Sequence, residues 1–210
     1  VSDTETRLRQ FADLVESWSA KINLVSRGDR KLIWSRHVAD SRALIAHIPA
    51  GTRRAIDLGS GAGFPGMVLA IETGIAFTLI ESDTRKAIFL REAARHTGAP
   101  VTVVNARIET AMVEPAMLIT ARALAPLPEL LALAAPHLAP GGVCLFPKGR
   151  SAEIELTAAK RLWHMVVEHA PSPLDTAACV LKVSELRHVD TQIPQTTPRD
   201  RDRQPERRGG

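Results

Sequence analysis

The stretch Ala55-Ile56-Asp57-Leu58-Gly59-Ser60-Gly61-Ala62-Gly63-Phe64-Pro65-Gly66 decides how the rest of the chain is read. Apolar residues flank an acid, three glycines then alternate with small residues, and Phe-Pro-Gly opens a further apolar run. That order predicts a buried strand turning sharply into a helix. Glycine is needed where the backbone takes φ > 0 or where a ligand approaches closer than a Cβ permits, so an alternating triplet after a strand predicts a nucleotide-type pocket. Pro65 suits the first helical turn, where its missing N–H costs nothing.

Two spacings overlap here. Gly61 to Gly66 matches the dinucleotide pattern G-x-G-x-x-G, whereas Asp57 to Gly63 has the acid-x-G-x-G-x-G form of S-adenosylmethionine (SAM) sites. A pyrophosphate needs free N–H groups at the helix start, and Pro65 removes one of them. SAM carries no phosphate and bears a sulfonium and an ammonium, which an acid at Asp57 suits. The loop is therefore read as a SAM site, with a nicotinamide dinucleotide as the rival.

A chain of 210 residues with 45% apolar content builds one full domain with a sizeable core. No apolar run is long enough for a membrane span and no signal-peptide core opens the sequence, so a soluble cytoplasmic protein is expected. Cys144 and Cys179 sit in apolar, strand-like runs and read as small buried hydrophobes; no metal is expected. The formal charge is +4, compatible with a nucleic-acid partner. Half of that excess lies in the last stretch, where five arginines stand among Asp200, Asp202 and Glu206; residues 191–210 are expected to be a disordered basic tail.

Leu8, Phe11, Leu14, Val15, Trp18 and Ile22 recur at helical spacing, which predicts an amphipathic helix over 4–21 with Trp18 in the core. Asn23-Leu24-Val25-Ser26 breaks the pattern, and Asp29 is placed to cap a second helix carrying Leu32, Ile33, Val38, Leu44 and Ile45. Within it Arg36 and Asp40 are spaced for an i,i+4 ion pair. From residue 53 strands and helices alternate, which predicts a parallel sheet with right-handed crossovers. Strands are expected at 55–58, 77–80, 101–104, 117–120, 143–146, 165–168 and 178–183. Helices are expected at 65–73, at 84–96 with Ile88, Phe89 and Leu90 inward and Lys86 outward, from 126 to about 138, and at 152–163. Pro140-Gly141-Gly142 is read as the stop of the third of these. The short connection between the last two strands predicts antiparallel pairing.

Open parallel sheets bind ligands at the carboxyl ends of their strands. There the sequence places the loop residues Gly59, Ser60, Gly61, Gly63 and Phe64, then Glu81, Ile108, Glu109, Arg122 and Lys148. Glu81 stands 22 residues beyond Gly59, placed to accept both ribose hydroxyls of an adenosine. Ile108 is placed to pack on adenine.

Taken together, Trp18 to Ser26, Arg36-His37 with Asp40-Ser41, the 57–66 loop, Thr120-Ala121-Arg122-Ala123, Pro126-Leu127 and Lys148-Gly149 resemble the bacterial guanine-N7 methyltransferase family of 16S ribosomal RNA, also called glucose-inhibited division protein B. The likeness runs over 8–183; the ending from 185 departs from the family, and Glu81 stands where an Asp is usual. It implies a Rossmann-like class I SAM-dependent methyltransferase: an α/β fold with a seven-stranded, mostly parallel sheet, helices on both faces and an N-terminal helical extension. Residues 1–50 would be the extension, 51–190 the transferase domain and 191–210 the tail. It further implies cofactor contacts at Gly59, Phe64, Ile108, Glu109 and Arg122, and RNA contacts from Arg36, His37 and Lys148.

Guanine N7 has an in-plane lone pair and no proton to lose, so the chemistry needs alignment and no general base. This agrees with the missing Asn/Asp-Pro-Pro-aromatic and Pro-Cys devices after the fourth strand. Arg122 and His37 are the positioning candidates. The chain has no Tyr and few other aromatics, which argues against a stacking platform and points to RNA shape and an assembled small-subunit particle as the substrate, met by a monomer.

Overall fold

The computed structural model describes residues 2–172, 175 and 177–189; the expected tail lies outside them. Helix α1 (Asp3–Ser19) starts where the Ser2 hydroxyl accepts from the Glu5 N–H, with Asp3 and Glu5 complementing the dipole in the first turn. Its buried face carries Leu8, Phe11 and Val15, and half-buried Trp18 packs on Phe89 with ring centroids 5.6 Å apart. Arg7 reaches across to donate to the Thr97 and Gly98 carbonyls at 2.6 and 2.8 Å, at the open C-terminal end of α4 (Thr84–Thr97).

The second helix expected after Asp29 is replaced by shorter pieces. A 3₁₀ turn (Arg30–Leu32), a π-helical segment (Ile33–Val38), α2 (Ala39–Ala43) and another 3₁₀ turn (Ile45–His47) follow one another. Asp29 makes no cap; its carboxylate accepts from Ser26 Oγ at 2.7 Å and from Arg36 at 3.1 Å. The π segment widens the turn to i,i+5 bonding, so the i,i+4 pairing of Arg36 with Asp40 is lost. Arg36 turns back to Asp29, and Asp40 faces Arg122.

Strands β1 (Arg54–Leu58), β2 (Ala76–Ile80), β3 (Val101–Val104), β4 (Ala116–Thr120) and β5 (Leu138–Lys148) are parallel. With β6 (Trp163–Pro171) and β7 (Cys179–His188) they form one seven-stranded sheet, in the order β3-β2-β1-β4-β5-β7-β6. β7 runs antiparallel to both neighbours, as the short connection implied. The sheet has an apolar layer on each face: α1, α3 (Gly66–Thr73) and α4 bury Phe11, Met67 and Phe89 on one, and α5 (Leu127–Ala134) and α6 (Ala152–Ala159) bury Leu131 and Leu156 on the other. Arg42 ties α2 to this body through Glu72 at 2.7 Å and Glu5 at 3.7 Å.

Three expectations shift. Pro140, Gly141 and Gly142 lie within β5, where the pairing with β4 slips between Ala116 and Leu118, a bulge that accommodates a proline inside a sheet. The helix expected to reach 163 stops at Ala159, because Trp163 is drawn into β6 and half the α6 surface stays wet, with Ile154 77% exposed. Ile88 points outward, the buried stripe of α4 being Ala87, Phe89, Leu90 and Ala93. Among the described residues no helix is long and apolar enough to cross a membrane.

The turn from β1 into α3 depends on close approach. A Cβ at Gly66 would lie 2.6 Å from Leu79 Cδ2 and 2.7 Å from Asp57 Cβ, so the helix start sits directly on the strand. Gly→Ala inside a helix is normally favourable by about 1 kcal/mol, but overpacking typically costs about 1–3 kcal/mol. Gly66→Ala is expected to be destabilising by about that larger amount, read as a lower urea midpoint with an unchanged slope.

Candidate active site

At the carboxyl ends of β1 and β4, where the strand order reverses, the chain encloses a cavity of about 1120 Å³. One wall is the glycine loop. Gly59 takes φ +60°, and a Cβ there would lie 2.6 Å from Leu124 Cδ1, so the loop is pressed against the segment that follows β4. At Gly61 an added Cβ would meet only the Gly59 carbonyl at 3.8 Å, so that stretch is open to a ligand. Ser60 Oγ donates to the Asp57 carbonyl at 3.0 Å, and the Gly61 N–H donates to Glu81 Oε2 at 2.8 Å. The other Glu81 oxygen accepts from the Asp83 N–H at 2.7 Å, which locks the loop to the end of β2.

Asp57 is fully buried beneath this turn and accepts from Thr120 Oγ1 at 2.6 Å. Burial pushes its pKa up to about 6 against the lowering effect of that bond. Its carboxyl braces β1 against β4 and does not line the cavity, so the expected contact with a cationic ligand is not direct.

The opposite wall comes from the irregular segment 24–40 and meets the end of β4 at Arg122. Arg122 Nη1 donates to His37 Nδ1 at 2.8 Å and stands 4.0 Å from Asp40 Oδ2; its guanidinium carbon lies 5.1 Å from the Phe64 ring centroid. An arginine only donates, so Nδ1 must be the unprotonated nitrogen of His37 and the proton sits on Nε2. Burial first, and the Arg122 charge second, lower the His37 pKa to about 4. The His37 and Phe11 rings flank Phe64, each with its centroid 5.3 Å away. Ala123 then takes φ +53°, a left-handed turn in a non-glycine residue that redirects the chain just past Arg122.

Lys148, at the end of β5, has its ammonium engaged. It donates to Glu155 at 2.8 Å and to the Ala125 carbonyl at 2.9 Å. Burial alone would raise the Glu155 carboxyl, but bonds from Lys148, Ser151 and the Leu127 N–H hold it below the usual range. This cluster fixes the rim and caps α5.

Of the residues expected at the site, Gly59, Ser60, Gly61, Phe64, Arg122, Arg36, His37 and Lys148 line the cavity. Asp57, Gly63 and Glu81 stand behind the loop and hold it. Ile108 and Glu109 line a separate hollow of about 710 Å³ beside Met112, with the Ile108 carbonyl bonded to His137 Nε2 at 3.0 Å. Sequence reasoning missed Asp29, Leu124, Lys86 and Cys179 as wall residues. The break at 23–26 was the visible sign that the N-terminal segment leaves regular structure there. Cys179, read as a small buried hydrophobe, is half-buried and faces this cavity.

The groups present fit SAM. The open Gly61 stretch, the Glu81-braced loop and an aromatic beside a cation provide a shaped polar and apolar surface, and the volume exceeds the roughly 300–1,000 Å³ usual for one small ligand. Solved structures that share the fold are methyltransferases at low identity. A glycopeptide N-methyltransferase, MtfA, superposes with a TM-score of 0.58 at 11% identity over 76% of this chain and 99% of its own. A TehB-like SAM-dependent methyltransferase from Corynebacterium glutamicum gives 0.52 at 19% identity over 69% and 85%. Sequence relatives are much nearer. Proteins named ribosomal RNA small subunit methyltransferase G from Acidiphilium cryptum (strain JF-5) and Gluconobacter oxydans (strain 621H) are 54% and 52% identical; the alignments cover 87% and 89% of this chain and 85% and 96% of theirs. The family described as rRNA small subunit methyltransferase G (GidB) matches residues 4–177. The chain belongs to that family.

Proposed function

We infer that this chain is a SAM-dependent methyltransferase acting on N7 of one guanine in the 16S ribosomal RNA of the small subunit. The observation that carries the reading is the two-walled cavity of about 1120 Å³, with room for a cofactor against the glycine loop and a base beside Arg122. When bound, SAM supplies an electrophilic methyl on a sulfonium sulfur. As N7 forms its bond to that carbon, the carbon–sulfur bond breaks and its electron pair stays on sulfur. Positive charge passes to the guanine and no proton leaves.

The chain's own residues therefore have to position. Arg122, fixed by His37 and lying over Phe64, is the organiser between the two ligands. Gly59, Ser60, Gly61 and Phe64 form the cofactor wall, with Asp57, Gly63 and Glu81 behind them; Ile108 and Glu109 line the neighbouring hollow rather than this wall. Arg36, whose side chain is 60% exposed, is free enough to exchange Asp29 for a phosphate, while His37 fixes Arg122 and Lys148, held by Glu155 and the Ala125 carbonyl, shapes the rim. In this reading residues 1–50 are an extension that supplies the second wall, 51–190 the transferase domain and 191–210 a basic tail. The enzyme acts as a monomer in the cytoplasm on an assembled particle.

The test is transfer of a labelled methyl group from SAM to 16S rRNA, presented naked or in small-subunit particles, with chain scission at N7-methylguanosine as the readout. One scission site, with particles preferred, is expected. Equal use of naked RNA would contradict the particle requirement, and label elsewhere than N7 the reaction itself.

Arg122→Lys keeps the charge but not the fork or the planar contact, and is expected to lower kcat/KM about 100-fold while the thermal midpoint moves little. His37 should stay neutral in the folded protein. The unfolded chain protonates near 6.5 and the folded one near 4, so this group's contribution to stability is full above pH 6.5 and is lost as pH falls towards 4. In an NMR titration the His37 ring signals should hold still from pH 8 to 5; a midpoint near 6.5 would show that the Arg122 contact is not kept in solution.

A further inference from the structure

Among the described residues, the acids at and behind the cavity each accept at least one hydrogen bond, with one exception. Asp29 accepts from Ser26 and Arg36, Glu155 from Lys148, Ser151 and the Leu127 N–H, and Asp175 from the Ala177 N–H at 2.9 Å. Glu81, behind the wall, accepts two backbone N–H groups. Asp40 lines the cavity with its side chain 28% exposed, yet its carboxylate accepts no hydrogen bond among the described residues. Arg122 Nη1 is 4.0 Å away, too far for a bond and already donating to His37. Burial is the main influence on this carboxyl and raises its pKa; Arg122 and Arg36 oppose the rise and Asp175 adds to it. A partly desolvated acceptor without a donor is costly to keep, and a ligand offering donors recovers that cost.

Resting on the proposed function, we propose that Asp40 is the residue that selects guanine, its two carboxylate oxygens accepting from N1–H and the 2-amino group. Guanine presents two neighbouring donors on that edge; adenine and cytosine place a ring acceptor beside their amino group, which a carboxylate repels, and uracil has a single N–H between two carbonyls. A carboxylate accepts two donors side by side. The Watson–Crick edge lies across the purine from N7, so a base held this way keeps N7 free for the methyl. Enzymes that do chemistry on a single base commonly read that edge in a pocket. Asp40 stands on the wall built by the N-terminal segment, facing the glycine loop, which leaves the cofactor on one side and the base on the other.

The experiment uses small-subunit particles reconstituted with 16S rRNA that carries either guanine or hypoxanthine at the methylated nucleotide. Hypoxanthine keeps N7 and N1–H and lacks the 2-amino group. For wild type, kcat/KM should fall about 10- to 150-fold from guanine to hypoxanthine, the worth of one hydrogen bond to a charged group. Asp40→Asn should lose activity on guanine by a similar factor and discriminate between the bases by less than about threefold, with the Kd for SAM from calorimetry and the thermal midpoint unchanged. Asp40→Ala, which adds no donor, should likewise lose the discrimination. If the variants discriminate as wild type does, or bind SAM more weakly in step with their lost activity, Asp40 does not read the base. If wild type itself transfers no methyl to guanine N7, the proposed function fails and the assignment of Asp40 falls with it.

Discussion

The contact between the Arg122 guanidinium and His37 Nδ1 joins pieces of chain that are far apart in sequence. Arg122 comes from the loop after β4, His37 from the π-helical segment, and the Phe64 ring beneath the guanidinium from the glycine loop. A half-buried arginine is tolerable only if its charge has nearby partners, and here it has an imidazole nitrogen, an aromatic face and Asp40 at 4.0 Å. The same contact settles the tautomer and charge of His37, since a ring nitrogen that accepts from arginine must be unprotonated. One interaction thus fixes the spacing of the two walls and the electrostatics between them.

The second constraint is backbone space. Gly59 lies against Leu124, and Gly66 lies against Asp57 and Leu79, with contacts that leave no room for a Cβ. These approaches pull the start of α3 onto β1 and bring the loop to the β4 segment that carries Arg122. Asp57 and Glu81 then hold the loop from behind, through Thr120 and through the Gly61 and Asp83 N–H groups. A displacement on the order of 1 Å in such a site is enough to cost about 100-fold in rate.

Local chemistry was legible in the sequence. The 57–66 loop, the strand–helix alternation and the antiparallel ending follow from glycine spacing, apolar runs and connection length, and each forms in the structure. The cavity residues on the loop and at the ends of β4 and β5 were placed by the rule that ligands bind at strand carboxyl ends. What could not be read were choices of partner. Arg36 and Asp40 have helical spacing, but the π segment turns them to Asp29 and Arg122. Lys148 looks like a free cation until Glu155, on a later helix, meets it. Asp57 looks like a ligand contact until Gly66 brings α3 down over it. In each case a tertiary neighbour, invisible to local pattern, decides the role.

The account makes catalysis a matter of alignment, with a neutral His37 and no proton in flight. The direct test is the single-turnover rate of methyl transfer to small-subunit particles, measured with saturating SAM from about pH 6 to pH 8. The expected result is a rate constant that stays level over that range. A tenfold fall per pH unit on the acid side, with a midpoint near the ordinary histidine value, would place a proton acceptor in the mechanism and contradict it.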